Sequence, residues 1–185
     1  YDSNYGRFGP HVSVHDHTLH VDDVRVPFVS AARLADLPWR AHGIDIVIEA
    51  TGQYEAGAEA RGHVEAGAAH VVITAPSDDA DCTLIYGVNE DHFDPAAHAT
   101  VSSGSDTTNA LAPVLMVLDA SFPLKNAMLT AVRAYTNAQK LVDSTDQDLR
   151  RARSAPTSIV PTTTRAPKAI AHVLPGMAGK ISGYA

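Results

Sequence analysis

Apolar and polar positions change rhythm along this chain, and each change marks a different kind of element. After a turn-rich start at Tyr1–Pro10, the runs His11–His15, His17–Val21 and Val24–Val29 alternate with period two. Asp16-His17 and Asp22-Asp23 interrupt them, which predicts a small antiparallel meander. A short amphipathic stretch runs from Ala31 to Pro38-Trp39. Ile44–Ala50 is a nearly continuous β-branched run, the pattern of a buried parallel strand. Past Thr51-Gly52, a segment rich in alanine and glutamate predicts a helix from about Glu55 to Ala66, closed by Gly67. Val71–Pro76 is the next strand, with its turn at Pro76-Ser77, and Thr83–Asn89 and Ala99–Ser102 read as two more. Strand, helix, strand in this order predicts a doubly wound α/β sheet.

The rhythm changes again at Val101–Met116, V-S-S-G-S-D-T-T-N-A-L-A-P-V-L-M. A strand end passes through Gly104 into apolar positions at helical spacing, giving a helix over Ala110–Leu118. Ser105 or Asp106 is its N-cap, since either side chain can accept from the unpaired N–H groups of the first turn. Pro113 is tolerable only because it lies near the first turns of that helix. A strand-to-helix turn of this kind attracts anions and can seat a nucleophile. Leu124–Thr136 supplies further strand material, and Asp148–Arg153 and Ile159–Arg165 form a long irregular segment.

Composition removes several classes of function. With a net charge of −7 there is no basic stripe for nucleic acid. The apolar runs are too short and interrupted for a membrane span. A single cysteine, Cys82, excludes an internal disulfide framework and agrees with a reducing compartment. Cys82 sits in a β-type run and reads as a buried small hydrophobe. His11, His15, His17 and His20 crowd the meander, with His15 and His17 on one face. They are either metal ligands or solvent-facing strand residues, and no cysteine or fixed carboxylate spacing completes a ligand set. The expectation is no metal. The chain starts at Tyr1 without a signal-peptide pattern and reads as an internal excerpt of a longer one.

Several phrases, in order and at consistent spacing, resemble the phosphorylating glyceraldehyde-3-phosphate dehydrogenases. They are Y-D-S-N-Y-G-R-F from Tyr1, E-A-T-G from Glu49, V-I-T-A-P-S from Val72, Y-G-V-N-E from Tyr86 and S-D-T-T-N-A-L-A-P from Ser105. V-R-A-Y-T-N-A-Q-K from Val132 and D-L-R-R-A-R from Asp148 continue the series. The resemblance covers essentially the whole chain. It implies an α/β fold in which residues 1–105 are the later part of a Rossmann-type NAD-binding domain. Residues 106–185 are then the start of an α+β catalytic domain with its S-loop-like segment. The Gly-rich fingerprint that holds a pyrophosphate is not among these residues.

The same resemblance implies site residues. Asp106 stands where the family has its reactive cysteine, and Arg133 where it has its general-base histidine. Ser105, Thr107, Thr136, Arg151 and Thr164 match positions that hold substrate or inorganic phosphate. For Arg151 a solvated basic face shared with Arg150 and Arg153 is the equal alternative. Ala138 replaces a phosphate-binding hydroxyl, Arg165 a glycine, and Gly176 an acid. Thr51, Gly52, Tyr54 and Ser77 fall where NAD would run. The family oxidises glyceraldehyde 3-phosphate with NAD and phosphate, as a tetramer in the cytoplasm.

Chemistry qualifies that inheritance. The parent reaction needs a low-pKa thiolate beside an imidazole that takes and gives a proton. A carboxylate adds weakly to an aldehyde, and a guanidinium keeps its proton at any working pH. Asp106 and Arg133 either form an ion pair of the same polarity as thiolate and imidazolium, or cap a helix and face solvent separately. Breaking a buried pair of that kind costs about 3–5 kcal/mol. The functional expectations are an enzyme homologue with lost or altered chemistry, a non-catalytic nucleotide- or anion-binding or assembly subunit, or a decaying reading frame.

Overall fold

The structure is a computed structural model that describes all residues 1–185. Strands β1 (Val12–His15), β2 (Thr18–Val21) and β3 (Val24–Pro27) form the antiparallel meander. Its turns use left-handed backbone at Asp16, His17 and Asp22. His17 therefore belongs to a turn and shares no strand face with His15. The His15 ring instead meets His20 edge-on at 5.5 Å.

A four-stranded parallel sheet follows. Strands β4 (Ile46–Glu49), β5 (His70–Ile73), β6 (Cys82–Thr83) and β7 (Thr100–Ser102) lie in the order β4-β5-β7-β6. The predicted parallel pairing of the first two is present, with Ile46 opposite His70 and Glu49 opposite Ile73. The β4 run is buried on one face only: Val47 and Glu49 point inward, while Ile46 and Ile48 are exposed. The strand expected over Thr83–Asn89 stops at Thr83. The Asn89 side chain accepts from Ile85 N at 2.8 Å and donates to Thr83 O at 2.9 Å, closing a turn where a ladder would have continued.

The expected helix over Glu55–Ala66 is shorter and broken into α1 (Gly57–Ala60) and α2 (Gly62–Glu65), parted at Arg61. Close approach accounts for a glycine at the first position of each piece. A Cβ at Gly57 would lie 2.6 Å from Asp79 O, and one at Gly62 would lie 2.8 Å from Leu34 Cβ. Helix α3 (Asp106–Ser121) is longer than expected and carries Pro113 in its interior. Leu124–Thr136 contributes β8 (Ala127–Thr130), which pairs in parallel with β9 (Ile181–Tyr184). Helix α4 (Ala166–Val173) begins with Pro167 in its first turn, a position where the missing N–H costs nothing.

Two apolar clusters hold these layers. Val47, Ala60, Ala68, Val71 and Ile73 pack between the sheet and α1–α2. Ile85, Ala112, Leu115, Ile170, Val173 and Met177 pack α3 against α4. No helix is long and apolar enough to cross a membrane.

Gly57→Ala should destabilise the fold by about 2 kcal/mol, within the range for overpacking against backbone that cannot retreat. Urea unfolding checks this against Gly176→Ala, where an added Cβ meets nothing within 4 Å.

Candidate active site

Between β7 and α3 the chain reverses at Gly104, which has φ +68°. Ser105, in extended conformation, is the N-cap. Its Oγ accepts from Thr108 N at 3.1 Å and shares a hydrogen bond with Thr108 Oγ1 at 2.9 Å. Asp106 is thus the first helical residue, where a carboxylate suits the positive end of the helix. Its Oδ1 accepts from Thr107 N at 2.7 Å, and the Thr107 hydroxyl donates to the same atom at 3.3 Å. Its Oδ2 lies 3.6 Å from Arg133 Nη1. Arg133 is past the end of β8, in irregular chain, not on the adjacent strand. The pair is open to water, with side chains 71% exposed for Asp106 and 45% for Arg133. The cost of breaking a buried pair does not apply; an exposed pair contributes about 0–1 kcal/mol.

The remaining phosphate candidates have local partners. Thr136 Oγ1 donates to Gln139 Oε1 at 3.0 Å, and Thr164 Oγ1 accepts from Ala166 N at 3.1 Å at the start of α4. Among the neighbouring arginines, Arg150 is paired with Asp148 at 2.8 Å and Arg153 with Asp143 at 3.0 Å. Arg151 is half-buried and makes no ion pair, which leaves its guanidinium the free one of the three. Arg133 also lines a cleft of about 290 Å³ with Tyr135, Ile159 and Tyr184.

Thr51, Gly52 and Tyr54 come together in a second cleft, of about 280 Å³, at the carboxyl ends of β4 and β5. Glu49, Glu55 and Thr74 also line it, and Arg165 Nη2 reaches Glu55 Oε2 at 3.7 Å on its rim. Ser77 is elsewhere. It is buried and serves α1, with its Oγ accepting from Gly57 N at 3.1 Å and donating to Asp79 Oδ1 at 3.1 Å. Asp79 takes Gly57 N and Ala58 N as well, at 2.8 and 3.1 Å.

Beneath this cleft lies a polar chain that the sequence pattern alone does not single out. Trp39 Nε1 donates to His63 Nδ1 at 3.0 Å, and His63 Nε2 lies 3.0 Å from Glu49 Oε2. Glu49 Oε1 accepts from Thr51 N at 2.8 Å and from the Thr51 hydroxyl. Burial pushes the Glu49 carboxyl up, but the hydrogen bonds from Thr51 and His63 outweigh it and hold it below the usual range. The available signal was a glutamate two residues after Val47, on the inward face of a buried strand, since such an acid must find donors.

Cys82 is half-buried on β6, and burial, with the nearby Asp81 charge, raises its thiol pKa. Groups of three or more His, Cys, Asp or Glu arranged to hold a metal ion are absent.

Residues 1–57 match the family described as glyceraldehyde 3-phosphate dehydrogenase, NAD binding domain, and residues 105–185 match its C-terminal domain. The chain is 46% identical over its whole length to glyceraldehyde-3-phosphate dehydrogenase 2 of Bacillus subtilis, covering 54% of that protein. It is 48% identical over 99% of its length to glyceraldehyde-3-phosphate dehydrogenase of Kitasatospora aureofaciens, covering 55%. The enzyme of that name from Geobacillus stearothermophilus is 44% identical over the whole chain, again covering 55%. This chain belongs to the glyceraldehyde-3-phosphate dehydrogenase family. It spans about half the length of these relatives. NAD is the family's cofactor. The match to the glyceraldehyde-3-phosphate dehydrogenase NAD-binding domain takes in Thr51, Gly52 and Tyr54, and the C-terminal match begins at the Ser105 cap.

Ser105→Ala should cost about 1 kcal/mol, the usual value of an N-cap. Asp106→Ala should cost less than about 1 kcal/mol, because it removes an exposed pair and no cap. Chemical unfolding of both variants checks the order. The folded Glu49 carboxyl titrates below the pH at which an ordinary glutamate does. Its contribution is therefore fully present above that pH and lost as pH falls through the folded value. Unfolding free energies measured from pH 7 to 3 should drop more steeply in the native protein than in Glu49→Gln.

Proposed function

We propose that this chain is part of a glyceraldehyde-3-phosphate dehydrogenase homologue whose parent reaction is lost or altered. That reaction is the NAD-dependent phosphorylating oxidation of glyceraldehyde 3-phosphate. The observation that carries the reading is the helix-start carboxylate of Asp106 lying 3.6 Å from the Arg133 guanidinium; by the resemblance of the surrounding phrases, the two match the family's thiol and imidazole positions. Neither group can do the work of the one it replaces. Asp106 has no persistent nucleophilicity toward an aldehyde, and Arg133 cannot accept a proton. Cys82 offers no substitute, since its environment opposes the thiolate.

Residues 1–105 belong to the cofactor half and 106–185 to the catalytic half. The Thr51–Gly52–Tyr54 cleft suits the sugar and base of NAD. Gly52 has φ +70°, and a Cβ placed there meets nothing within 4 Å, so backbone and ligand can approach closely. The diphosphate has no counterpart in this cleft, because the first amides of α1 are taken by Ser77 and Asp79. NAD, when bound, supplies hydride acceptance; these residues orient its sugar. A phosphorylated substrate or free phosphate, a homotetramer and a cytoplasmic location complete the proposal.

A second reading, a non-catalytic nucleotide- or anion-binding or assembly subunit, is favoured by the free Arg151 guanidinium, a fork suited to phosphate oxygens. The two are separated in the full-length protein. Aldehyde-dependent NADH formation should be absent in the native protein and return in part with Asp106→Cys plus Arg133→His. No turnover in that double variant, with fold and NAD binding intact, favours the binding subunit; substantial native turnover overturns the first reading. Residues 1–185 alone should show no NAD affinity tighter than about 1 mM in calorimetry, because the pyrophosphate cradle is missing; micromolar binding would place the site elsewhere.

A further inference from the structure

We infer that Trp39, His63 and Glu49 form a directional hydrogen-bond relay that positions Thr51 and Gly52 to receive a hydroxyl-bearing sugar and to reject a phosphate. Glu49 and His63 are positioning residues in this account, which rests on the reading of the cleft as the dinucleotide pocket.

Direction follows from the one group that has no choice. An indole N–H can only donate, so His63 Nδ1, 3.0 Å away, must accept. The imidazole proton then sits on Nε2 and is donated to Glu49 Oε2 at 3.0 Å. The other carboxylate oxygen, Oε1, accepts both the amide and the hydroxyl of Thr51. With its proton committed inward, Thr51 Oγ1 can act toward the cleft only as an acceptor. It already takes Gln53 N at 3.2 Å, which closes the turn around Gly52. With Glu55 already met by Arg165 at 3.7 Å, what remains at Thr51 is an acceptor beside the Glu49 carboxylate; it favours a sugar hydroxyl, which brings a proton, and offers a phosphate oxygen no hydrogen to accept.

Packing gives the second argument. Glu49 and His63 are each 4% exposed, and every buried side-chain polar atom of the molecule has a partner. A well-packed apolar pair of similar volume is often as stable as a buried ionic one, so stability alone does not require these residues here. What an apolar pair could not do is carry order from α2, through the sheet face, to the loop at the cleft mouth. Gly52 has no side chain and needs its neighbour fixed.

Amide exchange and nitrogen NMR of the chain test this, with Trp39, the only tryptophan, as an internal reporter. The native protein should show His63 as the neutral Nε2–H tautomer and a hydrogen-bonded Trp39 indole proton. His63→Leu should speed exchange at the Thr51 amide by about tenfold or more, the size expected when a buried partner is left unsatisfied. His63→Gln, whose amide can accept from Trp39 and donate to Glu49, should stay within about threefold of native. Equal protection of Thr51 in native and His63→Leu proteins overturns the relay, as does a His63 protonated on Nδ1. Should His63→Leu fail to fold, Glu49→Gln, which opposes an amide donor to the His63 Nε2–H, gives the same two outcomes at Thr51. Millimolar NAD, and separately NADP, then report on the pocket. Shifts at Thr51 and Gly52 with NAD that weaken in the loosened variant support the positioning role. Equal shifts with both dinucleotides overturn the selectivity for a hydroxyl. If Thr51 loosens as expected and no dinucleotide perturbs it, the relay orders the loop but the dinucleotide reading of the cleft fails.

Discussion

Parallel strands hydrogen-bonded side by side must all finish at the same edge, and that constraint gathers the Thr51–Gly52 loop, the Ser77–Asp79 segment and the start of α3. β4 ends at Glu49 and releases Thr51-Gly52; β5 ends at Ile73 and leads to Ser77 and Asp79; β7 ends at Ser102 and turns through Gly104 into α3. Side-chain hydroxyls stitch these exits together. Ser102 Oγ donates to Ala75 O at 2.7 Å and accepts from Gly104 N at 3.1 Å. Ser103 Oγ donates to Ile73 O at 3.1 Å, and Thr74 Oγ1 to Glu49 O at 3.0 Å. Loops that would otherwise be mobile are thereby bonded to their neighbours' backbones.

Carboxylates do comparable work deeper in. Asp81 Oδ2 accepts from the amides of Ala99 and Thr100 at 2.9 and 2.8 Å, while its other oxygen meets Arg61 between α1 and α2. Burial pushes the Asp81 carboxyl up, yet the Thr100 bonds and the Arg61 charge bring it below the usual range. Asp81 is satisfied by two backbone amides and a guanidinium, and Glu49 by one amide together with the buried His63 ring and the Thr51 hydroxyl. Asp106 at the helix start has one local amide and a water-exposed guanidinium. The fold therefore depends on the first two acids and is nearly indifferent to the third, which leaves position 106 free to vary in chemistry without cost to the framework.

What could be read from the sequence was whatever depends on period and punctuation. The meander follows from alternation broken at Asp16-His17 and Asp22-Asp23, and β4 and β5 from β-branched runs. The Ser105 region follows from a strand, a glycine and a helical pattern in succession. What could not be read depends on contacts between distant segments. Gly57 and Gly62 look like weak helix residues until Asp79, Ala80 and Leu34 are seen against them. Asn89 ends a strand because its side chain competes with the ladder. Ser77 follows β5 on the side where a dinucleotide would run, yet its hydroxyl is spent on α1. The approach of Arg133 to Asp106 was among the alternatives left open by chemistry alone, but its openness to water was not, because exposure is a property of the assembled surface.

Ile85 belongs by chain order to the parallel sheet, yet its side chain packs with Ala112, Leu115, Ile170, Val173 and Met177. A Cβ on Gly104 would already come within 3.1 Å of its Cδ1. The turn from β7 into α3 is therefore interlocked with the α3–α4 packing through Ile85. A chimera that grafts α3 and everything after it from a relative would have to bring along the Ile85–Asn89 turn. Otherwise a borrowed helix pair would close over a side chain shaped for a different partner.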